Sequence, residues 1–284
     1  MPYVTSPDGC RIHYSVQGAG STPVVLVQGL GLSSRFWFDV PDRLLAENSD
    51  LRIVLPDNRG TGFSDRSPKL FRVRTMADDV ARVLDACDID AAHVVGISMG
   101  GMIAQQLALR HKSRVKGLVL MATTPGLPYG RLPPMKSLAT LLTMPSKLRK
   151  EESAIHIAKL LLPEAEWPRA REIFDGWIDL IQTSPVEPRA FFDQFAAVCA
   201  HWTGKEIADI SCPTHVITGD SDALIPPKNS EWLSQRIPGA ELHVLAGVGH
   251  AIPAQDRDVV ARTVSRLIAR VGGGGATQVR RKVA

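Results

Sequence analysis

The stretch Val94-Val95-Gly96-Ile97-Ser98-Met99-Gly100-Gly101 decides how this chain is read. Its first half suits a buried strand, and its second half passes at once into a helix-compatible segment. One serine stands at the junction. The pattern G-x-S-x-G fits a strand-to-helix turn so tight that the serine backbone is strained, with glycines two residues to either side where bulkier residues would collide. Such a turn lifts the Ser98 hydroxyl out of the sheet. The next helix, expected from Met99 to about His111, points its N-terminus at the same spot, where partial positive charge favours a developing oxyanion.

A serine hydroxyl is a poor nucleophile near neutral pH. It needs a histidine to take its proton and a carboxylate to orient that histidine, and after this kind of turn the chain order is serine, acid, histidine. Ala240–Ala246 reads as a strand followed by the glycine-rich turn Gly247-Val248-Gly249-His250. A histidine just past a strand end can project over the sheet, so His250 is the expected general base. Upstream, Thr214–Gly219 reads as another strand, ending in Asp220-Ser221-Asp222. Either acid could orient His250. Asp222 is preferred, because Asp220 beside Gly219 would more naturally close the turn on backbone amides.

The remaining histidines have quieter readings. His93 opens the strand before Ser98 and is expected to satisfy a local polar group. His215 and His243 lie inside strands, where alternation decides their face; His13, His111, His156 and His201 have no motif around them.

Stabilising an oxyanion takes two backbone N–H groups. Met99, directly after the serine, is one expected donor. The other is Leu30, in the loop Gln28-Gly29-Leu30-Gly31 that follows the strand-like run Pro23–Val27.

With these pieces assembled, the chain resembles the α/β-hydrolase fold family over nearly its whole length, apart from the C-terminal tail. The Gln28-Gly29 loop, Asp57-Asn58-Arg59-Gly60-Thr61-Gly62-Phe63-Ser64, the turn at Ser98, Gly219–Asp222 and Gly247–His250 carry the resemblance together. It implies Ser98 as nucleophile, Asp222 as acid and His250 as base, and it implies an architectural role for Asp57, Arg59 and Ser64. Members of the family often have His-Gly where this sequence has Gln28-Gly29. A serine at 98 argues against the branches that use aspartate there, the epoxide hydrolases and haloalkane dehalogenases. Some relatives take their acid from the strand after the serine's helix; here that strand, Val115–Ala122, ends in Thr123-Thr124 without a carboxylate.

Length and composition agree with one α/β core. The chain has 284 residues, 44% of them hydrophobic, and four scattered cysteines (Cys10, Cys87, Cys199, Cys212) without metal-ligand spacing. Of the formal charge of +4, Arg280, Arg281 and Lys282 supply most, beyond the run Gly272–Gly275, so the body is nearly neutral. No basic face with interleaved aromatics suggests nucleic acid. No early segment reads as a signal peptide and no run reads as a membrane span, so the expected location is cytoplasmic.

Apolar runs alternate with amphipathic segments, which means a mostly parallel sheet with helices on both sides. An N-terminal hairpin turning at Pro7-Asp8-Gly9 joins Tyr3–Thr5 to Ile12–Val16. Thr75 is expected to cap a helix that buries Met76, Val80, Val83, Leu84 and Cys87, with Asp78 and Asp79 complementing its dipole. From Pro125 to about Asp209 the alternation stops and helical patterns take over. The expected organisation is a core over 1–124, a helical cap over 125–209, the rest of the core over 210–271, and a disordered tail over 272–284. Large aromatics of the cap (Trp167, Phe174, Trp177, Phe191, Phe192, Phe195, Trp202) supply the pocket candidates, two or three of which should touch substrate. Trp167, Trp177, Phe191 and Phe195 are named for that role, with Gln28 and Gly29.

The expected activity is cleavage of a small to medium, largely apolar carboxylic ester or lactone through an acyl-enzyme. No metal or organic cofactor is called for. The partner is the small-molecule substrate, without nucleic acid or membrane, and a homo-oligomer is compatible with the sequence. Carbon–carbon bond hydrolysis, perhydrolysis of the non-haem haloperoxidase type and acyl transfer would use the same residues. A ligand-sensing receptor is the alternative outside catalysis.

Overall fold

Strand assignments follow from which residues bury both faces. In the computed structural model, which describes residues 2–147, 153–174, 176–177, 179–180 and 186–272, eight strands form one sheet: β1 (Tyr3–Thr5), β2 (Arg11–Gln17), β3 (Thr22–Val27), β4 (Leu51–Pro56), β5 (Ala92–Ile97), β6 (Val115–Met121), β7 (Thr214–Gly219) and β8 (Glu241–Leu245). Their order across the sheet is β1-β2-β4-β3-β5-β6-β7-β8, antiparallel at the β1–β2–β4 end and parallel from β4 to β8. The chain is thus an α/β-hydrolase fold.

Alternation along the central strands feeds two cores. Val25, Val27, Val94, Leu118 and Leu120 face one side, against α2 (Val73–Ala86), α3 (Met99–Arg110) and, at the sheet's far end, α8 (Lys228–Arg236). Val24, Leu26, Val95, Val119 and Met121 face the other, against α1 (Val40–Glu47) and α10 (Arg257–Gly272). Near-continuous apolar runs such as His93–Ile97 are what a strand covered on both faces requires. Among the described residues no helix is long and apolar enough to cross a membrane.

Helix α2 differs from the sequence expectation at its start. It begins at Val73 after Arg72, and Thr75 stands inside the first turn, where its hydroxyl accepts the Arg72 amide at 3.3 Å. A threonine one turn in can satisfy the amide before the helix as well as an N-cap satisfies one within it. Asp78 and Asp79 are too far along to serve the dipole. Asp78 binds Arg110 and His111, and buried Asp79 binds Arg59. The five apolar residues expected on one face are all buried.

Between β6 and β7 the described chain is helical: α4 (Met135–Lys147), α5 (Ser153–Leu161), α6 (Ala170–Ile173) and α7 (Pro188–Cys199). Its two ends meet, with Gly126 bridged to Trp202 and the Thr203 amide donating to the Pro125 carbonyl at 3.1 Å. A third apolar cluster lies between this insertion and the sheet, joining Phe174, Trp177 and Phe191 to Phe36, Leu224 and Ala251. Residues 273–284, where a disordered tail is expected, lie outside the described residues.

Candidate active site

The turn at Ser98 is built on missing side chains. Ser98 has φ 56° and ψ −119°, a region that L-residues occupy only under constraint. A β-carbon on Gly100 would stand 2.1 Å from the Val27 carbonyl oxygen, and one on Gly96 would stand 2.3 Å from that of Gly100. Nothing larger than glycine lets β5, β3 and α3 converge here. Three hydrogen bonds hold the strained residue: its amide donates to the Met121 carbonyl at 2.9 Å, and its carbonyl accepts the buried Thr123 hydroxyl at 2.7 Å and the Met102 amide at 3.2 Å. Thr123 was read from sequence only as the absence of a carboxylate. Its role as a brace has no motif and follows from β6 lying beside β5.

The acid and base loops leave the adjacent strand ends. His250 Nδ1 lies 2.8 Å from Asp222 Oδ2, with the Asp222 carboxylate fully buried. The other carboxylate oxygen accepts the amides of Leu224 and Ile225, each at 2.8 Å. An ionised carboxylate can only accept, so the imidazole carries its proton on Nδ1 and keeps the Nε2 lone pair free. Asp220 does accept a backbone amide, but that of Gly247 in the base loop, at 2.9 Å, rather than one of its own turn. Gly219 lets the two loops touch, since a β-carbon there would lie 2.0 Å from the Val248 carbonyl oxygen. The insertion holds the base loop from above through the Ala251 amide, which donates to the Leu161 carbonyl at the end of α5.

Opposite these loops stands the segment after β3. A β-carbon on Gly29 would be 3.3 Å from that of Ser98, so this loop is pressed against the serine. Gln28 is buried; its side-chain oxygen accepts the Gly29 amide at 3.0 Å, and its carbonyl accepts Asn58 Nδ2 at 2.9 Å. Two residues along, the Gly31 amide donates to Gln194 Oε1 at 2.8 Å, while Gln194 Nε2 donates to the Arg59 carbonyl at 2.7 Å. Gln194 is fully buried on α7 and ties the insertion to both loops, a role no sequence pattern signalled. Among the described residues the amides of Leu30 and Met99 make no hydrogen bond, and both residues border the space above Ser98.

The loop Asp57–Ser64 is architectural. Asp57 accepts the amides of Ser34 and Phe63 and binds His13 Nδ1 at 2.8 Å. Arg59 is buried among Asp79, Asp8 and Ser67. Burial pushes the Asp79 carboxyl up, against the pull of Arg59 and Ser6.

The serine turn, the acid and base loops, the loop after β3 and the insertion surround one cavity of about 460 Å³. Ser98, His250, Leu30 and Met99 line it together with Gln28 and Gly29. No hydrogen bond joins Ser98 to His250 among the described residues, as is common before substrate tightens a site. Trp177, Phe191 and Phe195 line the wall contributed by the insertion. Trp167 does not. Its indole N–H turns to the Leu162 carbonyl at 3.3 Å and its ring packs under Lys159, so it closes the insertion on itself. Phe174 is buried inside the insertion, and Phe192 and Trp202 are largely exposed.

Leucines missed by a search for aromatics complete the wall, including Leu132, Leu138, Leu141, Leu160 and Leu224. So does His201, whose burial lowers its pKa to about 4, with the Thr124 backbone opposing slightly. His93, expected to satisfy a polar neighbour, instead has its Nδ1 buried without a partner among the described residues, and burial lowers its pKa to about 4. The cavity wall groups no three metal-ligating side chains among the described residues.

Comparison with known proteins agrees with this architecture. The family model for the alpha/beta hydrolase fold matches residues 22–151. A putative carbamate hydrolase of Variovorax paradoxus is 30% identical, covering 93% of this chain and 98% of its own. A 2-hydroxy-6-oxononadienedioate/2-hydroxy-6-oxononatrienedioate hydrolase of Burkholderia vietnamiensis is 30% identical, covering 84% of each chain. Among solved structures, Est816, described as an N-acyl homoserine lactone degrading enzyme, superposes with a TM-score of 0.75 at 28% identity, covering 93% of this chain and 99% of its own. Fold, serine turn and full-length likeness together place this chain in the alpha/beta hydrolase fold family.

Proposed function

We propose that this protein is a serine hydrolase that cleaves a small to medium, largely apolar carboxylic ester or lactone. The observation that carries the reading is the buried His250–Asp222 pair opening onto the same cavity as the strained Ser98. Ser98 Oγ attacks the substrate carbonyl while His250 Nε2 takes its proton. Asp222 holds the ring and stabilises the imidazolium that forms. The free amides of Leu30 and Met99 receive the oxyanion, each contributing roughly 3–4 kcal/mol in the transition state. His250 then protonates the leaving alcohol oxygen and next activates the water that releases the acid.

The cavity supports the substrate class. Its wall is leucine and aromatic, and the insertion acts as a cap that selects the acyl or alcohol part by shape. The named likeness to a lactone-degrading enzyme points the same way.

A second reading is favoured by Arg131, the one permanently charged side chain among the described lining residues. It could hold a substrate carboxylate, as the name of the dioate-hydrolysing relative suggests. In that reading the same serine, acid and base cleave a carbon–carbon bond beside a ketone.

The test is a panel of neutral esters, lactones and carboxylate-bearing diketones offered to the wild type and to Ser98→Ala. The ester reading expects the highest kcat/KM on neutral esters or lactones and a loss of at least ~10⁴-fold in Ser98→Ala. Preference for the acidic diketones, abolished by Arg131→Gln, would establish the second reading instead. Turnover that survives in Ser98→Ala would refute both.

A further inference from the structure

A second group of chemically capable side chains lies at the far ends of the strands that carry the acid and base loops. In the parallel register of β7 and β8, His215 pairs with Glu241 and Ile217 pairs with His243. Residues of equal parity share a face, so His215, Glu241 and His243 all stand on the side covered by α10. His215 Nδ1 lies 2.8 Å from His243 Nε2 and 3.8 Å from Glu241 Oε2. One donor atom from each of the three falls within 4.8 Å of the other two.

A hydrogen-bonded histidine pair accounts for the first distance but not for the carboxylate. At 3.8 Å, Oε2 makes no hydrogen bond to Nδ1. Its orientation comes from elsewhere: Arg270 Nη1 on α10 donates to Oε1 at 2.7 Å and leaves Oε2 turned to the imidazoles. A carboxylate fixed through one oxygen, with the other facing two imidazole nitrogens, is the way a supporting residue orients a metal ligand. Three donors around tetrahedral zinc stand roughly 3.3 Å apart when the bonds are about 2.0 Å long, so the observed spacings need only small adjustment.

We propose that His215, Glu241 and His243 form a binding site for one zinc ion, cross-linking the edge strand β8 to β7. Two nitrogen donors and one carboxylate suit a borderline divalent metal rather than magnesium or calcium. The fourth position is open to water, because the Glu241 side chain is 53% exposed and His243 is half-buried. His215 is buried, and the positive charges of Arg270 and Arg266 act on it. The two arginines also lower the site's affinity for a cation, which places binding in the micromolar range rather than that of closed structural zinc sites. A metal here braces β8, whose only strand partner among the described residues is β7, and thereby the two strands from which Asp222 and His250 project.

The experiment is calorimetric titration of the full, chelator-stripped chain with zinc chloride near pH 7.5, paired with thermal unfolding with and without zinc. One saturating equivalent with a low-micromolar Kd and a zinc-dependent rise in Tm are expected. His243→Gln and Glu241→Gln should each weaken binding at least about tenfold and abolish the rise, while unfolding like the wild type in chelator. Absence of saturable binding overturns the site, and so does binding that both variants leave intact. Should His243→Gln fail to fold, the exposed Glu241→Gln decides alone.

Discussion

The two walls of the cavity are built by different physics. On the sheet side the backbone and loops that carry the functional groups are fixed by hydrogen bonds. The Ser98 backbone is pinned by Met121 and Thr123, Asp222 is filled by two amides and an imidazole, and Gln28 is locked to its neighbour's amide. On the insertion side the wall is leucine and aromatic surface, with Phe36 edge-on to Trp177 at 5.2 Å and Phe174 against it at 4.9 Å. Directional bonds hold atoms to the fraction of an ångström that chemistry needs. Apolar packing excludes water and sets shape while tolerating exchange of one side chain for another of similar volume. Under the proposed function, reaction type would reside in the sheet rim and substrate choice in the insertion. Gln194 is where the two meet, because it reaches from α7 to the amide beside the expected oxyanion donor.

Mutations can break or sharpen this contrast, and the largest effect belongs to the rim. Asp222→Asn should lower kcat by about 10⁴-fold, since an amide in place of the carboxylate presents the wrong hydrogen-bonding pattern to His250. Asp220→Asn keeps an oxygen for the Gly247 amide and leaves the partner of His250 in place, so it should cost less than tenfold; steady-state kinetics on one activated ester compares them, and the reverse ranking would reassign the acid.

Next comes Gly100→Ala, whose new methyl would meet the Val27 carbonyl. A loss of at least about 3 kcal/mol is expected in urea unfolding, together with lost turnover. A stable, active variant would show the turn to be looser than its geometry implies.

Gln194→Ala strips partners from the Gly31 amide and the Arg59 carbonyl. It should cost about 2 kcal/mol of stability and lower kcat more than it raises KM, because the donor loop moves while the apolar wall stays. A pure KM effect would return Gln194 to the insertion's side of the contrast.

The smallest effect is expected from Phe195→Ala, which enlarges the cavity without touching the rim. It should shift the preferred acyl length by changing kcat/KM about tenfold between substrates, with the thermal midpoint nearly constant.

The same contrast explains what could be read from sequence. Ser98, Asp222 and His250 sit at strand ends whose apolar runs and glycines are local signals, so the strands, the chain order of the site and the preference for Asp222 over Asp220 were legible. The position of Leu30 and Met99 at the cavity followed from their places beside those signals. Thr123 and Gln194 were not legible, because a brace is defined by what lies across space and neither sits in a local pattern. Trp167 was misplaced for the related reason that helical periodicity gives no azimuth within the insertion: its indole faces the Leu162 carbonyl rather than the cavity. The start of α2 was misjudged because Thr75 satisfies an amide from inside the helix. His93 shows a further limit, since a buried ring nitrogen without a partner leaves no trace in sequence.

The central claim is that the Ser98 hydroxyl is activated by His250 in this cavity. Treating the wild type, Ser98→Ala and His250→Ala with an apolar fluorophosphonate and locating the adduct by peptide mass spectrometry tests it most directly. One phosphonyl group on Ser98, none on the Ser98→Ala protein, and labelling slowed by at least ~10³-fold in His250→Ala is the predicted pattern. Modification at another residue, or equal rates with and without the imidazole, would contradict it.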